Sequence, residues 1–339
     1  MANNLRSVTQ TDIAKKCNVS RTAISHVLNN REGTWISDQL RKKILEAAVD
    51  MNYPLRKRQL KKTHSIGIVM PSTSSEILLR LIDGILATAG EYDYIAVIAR
   101  TLHDPEHERE VILDLMSKGV EGLIVSPAIR SRAQVAENNY SFSTIGIPIV
   151  CTDVYFEYLN TSHVVFDYLK GAEELTNCFI KDGRRRIGFF HYYKWLMNSG
   201  CEERLEGYRR ALMKSEIPFD PDMVIYPENK AKVSVDISAE IARFVELGVD
   251  AIITQTDYFA IMAINELRKL GKRVPEDVRV AGFDNLTAGR LNFPQITTVS
   301  QSWGRMGEVA VRLLMDMMNN KQQGVEKVTL PVDVIVRES

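Results

Sequence analysis

Apolar positions along this chain follow two rhythms, and the change between them falls near residue 65. Before it, three short stripes recur at three- and four-residue spacing. They are Ile13 with Ala14, then Ile24, Val27 and Leu28, then Leu40, Ile44, Ala47, Ala48 and Met51. That spacing gives each of three short helices one buried face. Beyond residue 65, β-rich runs at 66–70, 94–99, 122–126, 148–152, 163–166, 186–190, 251–254 and 278–283 alternate with amphipathic stretches at 76–91, 106–117, 171–181, 204–215 and 235–247. Alternation of this kind predicts parallel sheets covered by helices on both faces. About ten strands over some 270 residues suit two doubly wound lobes better than one. The expected fold is a small all-α head on an α/β body.

Local signals sharpen the head. Thr9 is placed to cap the first helix, with Asp12 three residues on to answer it. Asn18 tolerates the left-handed backbone that ends that helix. Val19 plugs the turn, and Ser20 and Ser37 cap the second and third helices. With Ile24, Val27 and Leu28 turned inward, Arg21, Thr22, Ser25, His26 and Asn29 are left on the outer side of the second helix. Short donors and a cation on one helix face suit base edges and phosphates in a major groove. Thr9 and Ser20, at the two helix starts, complete the DNA-facing set. Tyr53-Pro54 stops the third helix, and residues 55–62 form a basic connector.

Charge supports this reading. The chain has 43 Lys and Arg against 43 Asp and Glu, yet residues 1–62 hold 13 basic and 5 acidic side chains. The remainder carries 30 and 38. A basic end on an acidic body points to a polyanionic partner. A hydrophobic content of 45% over 339 residues fits a globular body with an appendage. No apolar run is long enough to span a membrane, and the first residues show no secretory h-region. A cytoplasmic location is expected. Four separated cysteines without Cys-x-x-Cys spacing read as reduced thiols, and neither metal nor cofactor is expected.

The stretch from Asp12 to Ser20, then Ala23-Ile-Ser25, Val27-Leu-Asn29, Ile36-Ser37 and Asn52-Tyr53-Pro54, resembles the lactose/purine repressor family of bacterial transcriptional regulators. The likeness continues through Ser65-Ile-Gly-Ile-Val69, Arg204-Leu-Glu-Gly-Tyr208, Val274-Pro-Glu-Asp-Val278, Gly282-Phe-Asp284, Thr297-Thr-Val299 and Val336-Arg-Glu-Ser339. It implies a head over residues 1–54, a hinge over 55–64, and an effector-binding and dimerisation body over 65–339. The body would have lobes of the periplasmic sugar-binding-protein type, one at about 65–158 with 290–320 and the other at about 159–289 with 321–339. It also implies a homodimer on a near-palindromic double-stranded operator, with an effector in the cleft between the lobes setting their tilt. Ending at Ser339 without a heptad tail favours a dimer over a tetramer.

Carried over by position, Arg21 and Thr22 stand where the family reads bases, and His26 replaces a usual arginine. The hinge is shorter than the family's, with Leu60 as the candidate apolar wedge in the minor groove. In the body, polar residues at strand ends are the effector candidates: Ser72, Asp153, Asp257 and Asp284, with Arg204 from the Arg-x-x-Gly-Tyr motif. Asp257 and Asp284 have an alternative role as caps of the helices that follow them. Tyr192 and Trp195 are candidates for stacking on a sugar ring, or for packing. Ile77-Leu78 stands where many relatives have paired aromatics, so a sugar or sugar phosphate fits better than a purine. A protein corepressor, or a sugar-binding receptor without a regulatory role, are the alternatives. An enzyme is not expected, because the sequence has no Gly-x-Ser-x-Gly, P-loop, dinucleotide fingerprint or His-Glu-x-x-His.

Overall fold

A computed structural model describes residues 8–29, 36–51, 53, 63–73, 75–128, 142, 145–155, 159–191, 198–227, 236–320 and 324–339. The head holds α1 (Gln10–Cys17), α2 (Arg21–Leu28) and α3 (Asp38–Asp50). Its core is Ile13, Cys17, Ile24, Val27, Ile44, Leu45 and Ala48, all buried. Each start is capped as the sequence predicts. Thr9 and Asp12 form a reciprocal capping box, and Ser20 and Ser37 accept from the amides of Ala23 and Leu40. Asn18 closes α1 with φ 57° and ψ 48°.

The body then runs β1 (Ser65–Met70), α4 (Glu76–Glu91), β2 (Ile95–Arg100), α5 (Pro105–Ser117), β3 (Gly122–Val125), β4 (Ile149–Thr152) and β5 (Ser162–Phe166). It continues with α6 (Tyr168–Lys181), β6 (Ile187–Phe190), α7 (Ser199–Lys214), β7 (Val224–Ile225), α8 (Ser238–Glu246), β8 (Ala251–Thr254) and α9 (Asp257–Lys269). The last elements are β9 (Arg279–Phe283), α10 (Thr287–Leu291), β10 (Thr297–Gln301), α11 (Trp303–Met318), β11 (Lys327–Leu330) and β12 (Val332–Ile335).

Two units result: Met1–Val165 with Trp303–Val328, and Phe166–Ser302 with Thr329–Ser339. The first carries a sheet ordered β11-β5-β4-β3-β1-β2 and the second one ordered β12-β10-β9-β8-β6-β7. The body ladders are parallel except β10 with β12 among the pairs described. Each sheet reverses its strand order beside its first strand, β1 or β6, which creates the switch point where open α/β sheets hold ligands at strand carboxyl ends.

Five elements differ from the sequence reading. Strand β10, expected in the first lobe, pairs with β9 from Thr297↔Ala281 to Val299↔Phe283 in the second sheet. Strands β5 and β11, expected in the second lobe, belong to the first sheet. Helices α6 and α7 begin at Tyr168 and Ser199 rather than at 171 and 204. The reason is local: Asp167 and Asn198 accept from the amides of Lys170 and Cys201, capping an extra turn on each helix. The apolar stripe Met306, Ala310, Leu313 and Leu314 on α11 is buried within the first unit, where α11 packs on α4. Among the described residues, no helix is long and apolar enough to cross a membrane.

Candidate functional site

The head separates its faces cleanly. Ile24, Val27 and Leu28 are buried, whereas Arg21, Thr22 and Asn29 are exposed and Ser25 and His26 are half-buried. Asn29 donates its amide to Ser25 Oγ at 3.0 Å, which fixes both near the end of α2. The Nδ1 of His26 is enclosed without a hydrogen-bond partner among the described residues. Part of that ring therefore faces inward, unlike the open side chain of Arg21. Thr9 and Ser20 spend their hydroxyls on helix caps. Leu60 lies outside the described residues.

Within the first unit, α3 also meets α5 through ion pairs, Lys42 with Asp114 at 2.9 Å and Asp50 with Arg109. Ser72 follows β1, and Asp153 follows β4 with φ 67°. Both are half-buried.

In the second unit, strand order brings three polar residues together. Gln255 follows β8, Asp284 follows β9, and Gln301 ends β10, so they leave neighbouring strands at the same edge. Arg204 reaches them from α7. Its position depends on Gly207, where a Cβ would come within 2.2 Å of the Leu169 carbonyl, so only glycine lets α7 approach α6 this closely. Tyr208 fixes the helix by donating its hydroxyl to the Ile187 carbonyl at 2.7 Å. Burial pushes that phenol well above its ordinary range.

The Arg204 guanidinium lies over the rings of Tyr168 (4.2 Å) and Phe283 (4.6 Å). Its NH1 donates to Gln255 Oε1 at 2.9 Å, and its NH2 stands 3.9 Å from Asp284 Oδ1. Gln301 Nε2 donates to the same Asp284 oxygen at 3.2 Å. All four polar side chains are buried, Gln255 completely. Asp284 and Asn285 take φ 95° and 47°, an uncommon backbone for non-glycine residues. Asn285 holds that turn by donating to Ser300 Oγ and accepting from Arg337.

Asp257 sits elsewhere in the arrangement. Its Oδ2 accepts from the Leu286 amide at 2.7 Å and its Oδ1 from the Thr298 hydroxyl at 2.6 Å. Thr256, not Asp257, caps α9, and Leu286 precedes α10, so neither proposed aspartate cap forms. Gly282 makes room for Asp257, because a Cβ there would come within 2.5 Å of its carboxylate. Burial pushes the Asp257 carboxyl up to about 8; the Thr298 bond opposes this and the Asp284 charge adds to it. Asp257 thus ties α9 to β10 and the turn before α10. Tyr192 and Trp195 lie outside the described residues.

The structure therefore brings Arg204 and Asp284 together, with Asp257 behind them, and adds Gln255, Gln301 and Tyr168, which the sequence reading missed. Gln301 carried a usable signal. It closes the alternating run Thr297, Val299, Gln301, whose members share one buried face.

The family description "Bacterial regulatory proteins, lacI family" matches residues 9–54, and "Periplasmic binding protein-like domain" matches residues 176–339. The HTH-type transcriptional regulator RegA of Clostridium saccharobutylicum is 29% identical over 97% of this chain and 98% of its own. A ribose operon repressor of Haemophilus influenzae is 25% identical over 98% of each. Among solved structures, a transcriptional regulator CelR–cellobiose complex superposes with a TM-score of 0.73 at 24% identity. It covers 98% of this chain and 99% of that one. A head that matches the lacI family, a second unit that matches the periplasmic binding protein-like domain and relatives of the same kind over the full length agree: this chain is similar throughout to bacterial regulatory proteins of the lacI family.

Proposed function

We propose that this protein is a sequence-specific DNA-binding transcriptional repressor of carbohydrate genes. It acts as a homodimer on a near-palindromic operator and answers to a small sugar-like effector held by Arg204 and Asp284 in the second unit. One observation carries the DNA reading: α2 exposes Arg21, Thr22 and Asn29 opposite a fully buried Ile24 and Val27, directly after a tight turn at Asn18. That is the disposition of a recognition helix, whose side chains reach base edges while its back anchors it. The resemblance to a ribose operon repressor supports a carbohydrate setting. Ser72 and Asp153, at strand ends of the first unit, are further effector candidates. Effector binding and operator binding are linked, so each changes the affinity for the other by the same factor.

Selection of bound duplexes from a random pool, using the full chain, tests the reading. An enriched site with two inverted half-sites is expected, and Arg21→Ala relaxes preference within each half. A pool that shows no enrichment overturns it.

A further inference from the structure

Gln255 and Gln301 flank Arg204 and Asp284, and the partners of each carboxamide fix which way it points. A guanidinium can only donate, so the Gln255 atom at 2.9 Å from Arg204 is its oxygen. A carboxylate accepts, so the Gln301 atom at 3.2 Å from Asp284 is its nitrogen. Each amide is left with its other end. Gln255 Nε2 is a donor and Gln301 Oε1 an acceptor, both enclosed and without a hydrogen-bond partner among the described residues. Gln255 is fully buried and Gln301 is 3% exposed. A buried amide end left unpaired is costly, and a hydroxyl both donates and accepts.

The charge of the site narrows the ligand further. Arg204 spends NH1 on Gln255, faces Asp284 with NH2 and lies over Tyr168 and Phe283 with its planar surface. Its positive charge is matched by Asp284, and the neighbouring Asp257 carboxyl, held protonated by burial, adds no cation of its own. A phosphate dianion entering here would face the Asp284 carboxylate, and among the described residues both nearby cations are engaged: Arg204 with Gln255 and Asp284, and Arg337 with Asn285 and the Ile296 carbonyl.

We infer that Gln255 is a specificity-determining ligand contact that donates Nε2 to a hydroxyl of an uncharged polyol, so the effector is a free sugar rather than a sugar phosphate. This rests on the effector reading above and narrows its chemical class.

Gln255→Glu isolates the claim. It keeps an oxygen for Arg204 but removes the donor, so a residue that only positioned Arg204 would tolerate it. Calorimetric titration of the full-length chain uses D-ribose, D-xylose, D-glucose and cellobiose, with ribose 5-phosphate and glucose 6-phosphate beside them. A free sugar is expected to bind wild type and its phosphate ester to bind at least tenfold more weakly. Gln255→Glu should lose about tenfold or more for that sugar. Melting of the sugar-free variant reports whether it folds. Independently of any variant, one monodeoxy analogue of the sugar should lose a similar factor on wild type and nothing further on Gln255→Glu.

A tighter phosphate ester overturns the neutral-ligand assignment. A folded Gln255→Glu that binds like wild type, or deoxy analogues that all bind wild type as the parent does, overturns the role of Gln255. Both results leave the regulator reading standing. If none of these sugars or esters binds wild type, the effector reading itself fails, and this assignment falls with it.

Discussion

Helix α2 and the ends of β8, β9 and β10 both gather polar side chains, and they hold them in opposite ways. On α2, Arg21 and Thr22 stand in solvent, where an unmatched donor costs the fold nothing. At the strand ends, Arg204, Gln255, Asp284 and Gln301 are buried and already bound to one another. The head keeps Arg21 and Thr22, its open candidate contacts, outside its stability, whereas the second unit builds its candidate contacts into its core. A substitution at Arg21 or Thr22 should therefore alter binding alone, and one at the strand ends should alter binding and stability together.

The largest effect should come from splitting the buried pair. Arg204→Ala leaves Asp284 enclosed without its cation, which costs roughly 3–5 kcal/mol of stability and abolishes the response to effector. Urea unfolding beside ligand titration measures both; a variant as stable as wild type would break the contrast between the two regions. Next in size, Arg21→Ala should lower operator affinity by about tenfold or more while unfolding stays within about 0.5 kcal/mol of wild type. Anisotropy titration and the same urea series check it.

A pH-dependent effect sharpens the account of the buried site. Asp257 ionises at 3.8 in its ordinary state and at about 8 in the fold. Between those values the native protein holds a proton that the unfolded chain has released. This group therefore makes stability fall as pH rises from about 4 to about 8. In Asp257→Asn that contribution is gone, so the difference in Tm between variant and wild type should move in the variant's favour from pH 5 to pH 8.5. A constant difference would show that Asp257 ionises normally. The smallest effect belongs to the exposed pairs of α3 with α5. A double-mutant cycle on Asp50 and Arg109, whose side chains are 43% and 26% exposed, should yield a coupling of about 0.2–1 kcal/mol.

Much of the head was legible in the sequence because its signals are local. Thr9 with Asp12, Asn18, Ser20 and Ser37 each act within four residues, and the inward stripe of α2 has a period that can be counted. Asp284 was legible as a polar residue at a strand end and Arg204 through resemblance, but their pairing was not, since no short-range rule links residues 80 positions apart. Gln255 and Gln301 escaped because their meaning lies in strand order: β8, β9 and β10 must be neighbours before their ends converge. The lobe assignments of β5, β10 and β11 failed for the same reason. A β-rich run declares that it is a strand, but not which sheet will pair with it. Asp257 looked like a ligand or a cap; it is no cap, because Thr256 takes that place, and Gly282 and Thr298 give its carboxylate an interior place.

The central claim is that α2 reads a duplex while phosphates hold the head in place. The affinity of the full-length chain for its selected duplex, measured across salt concentrations, tests this most directly. Log affinity should fall linearly with log salt, with a slope near −0.9 for each phosphate neutralised, and Arg21→Ala should narrow the gap between selected and random duplex. An affinity indifferent to salt, or equal for both duplexes, would contradict it.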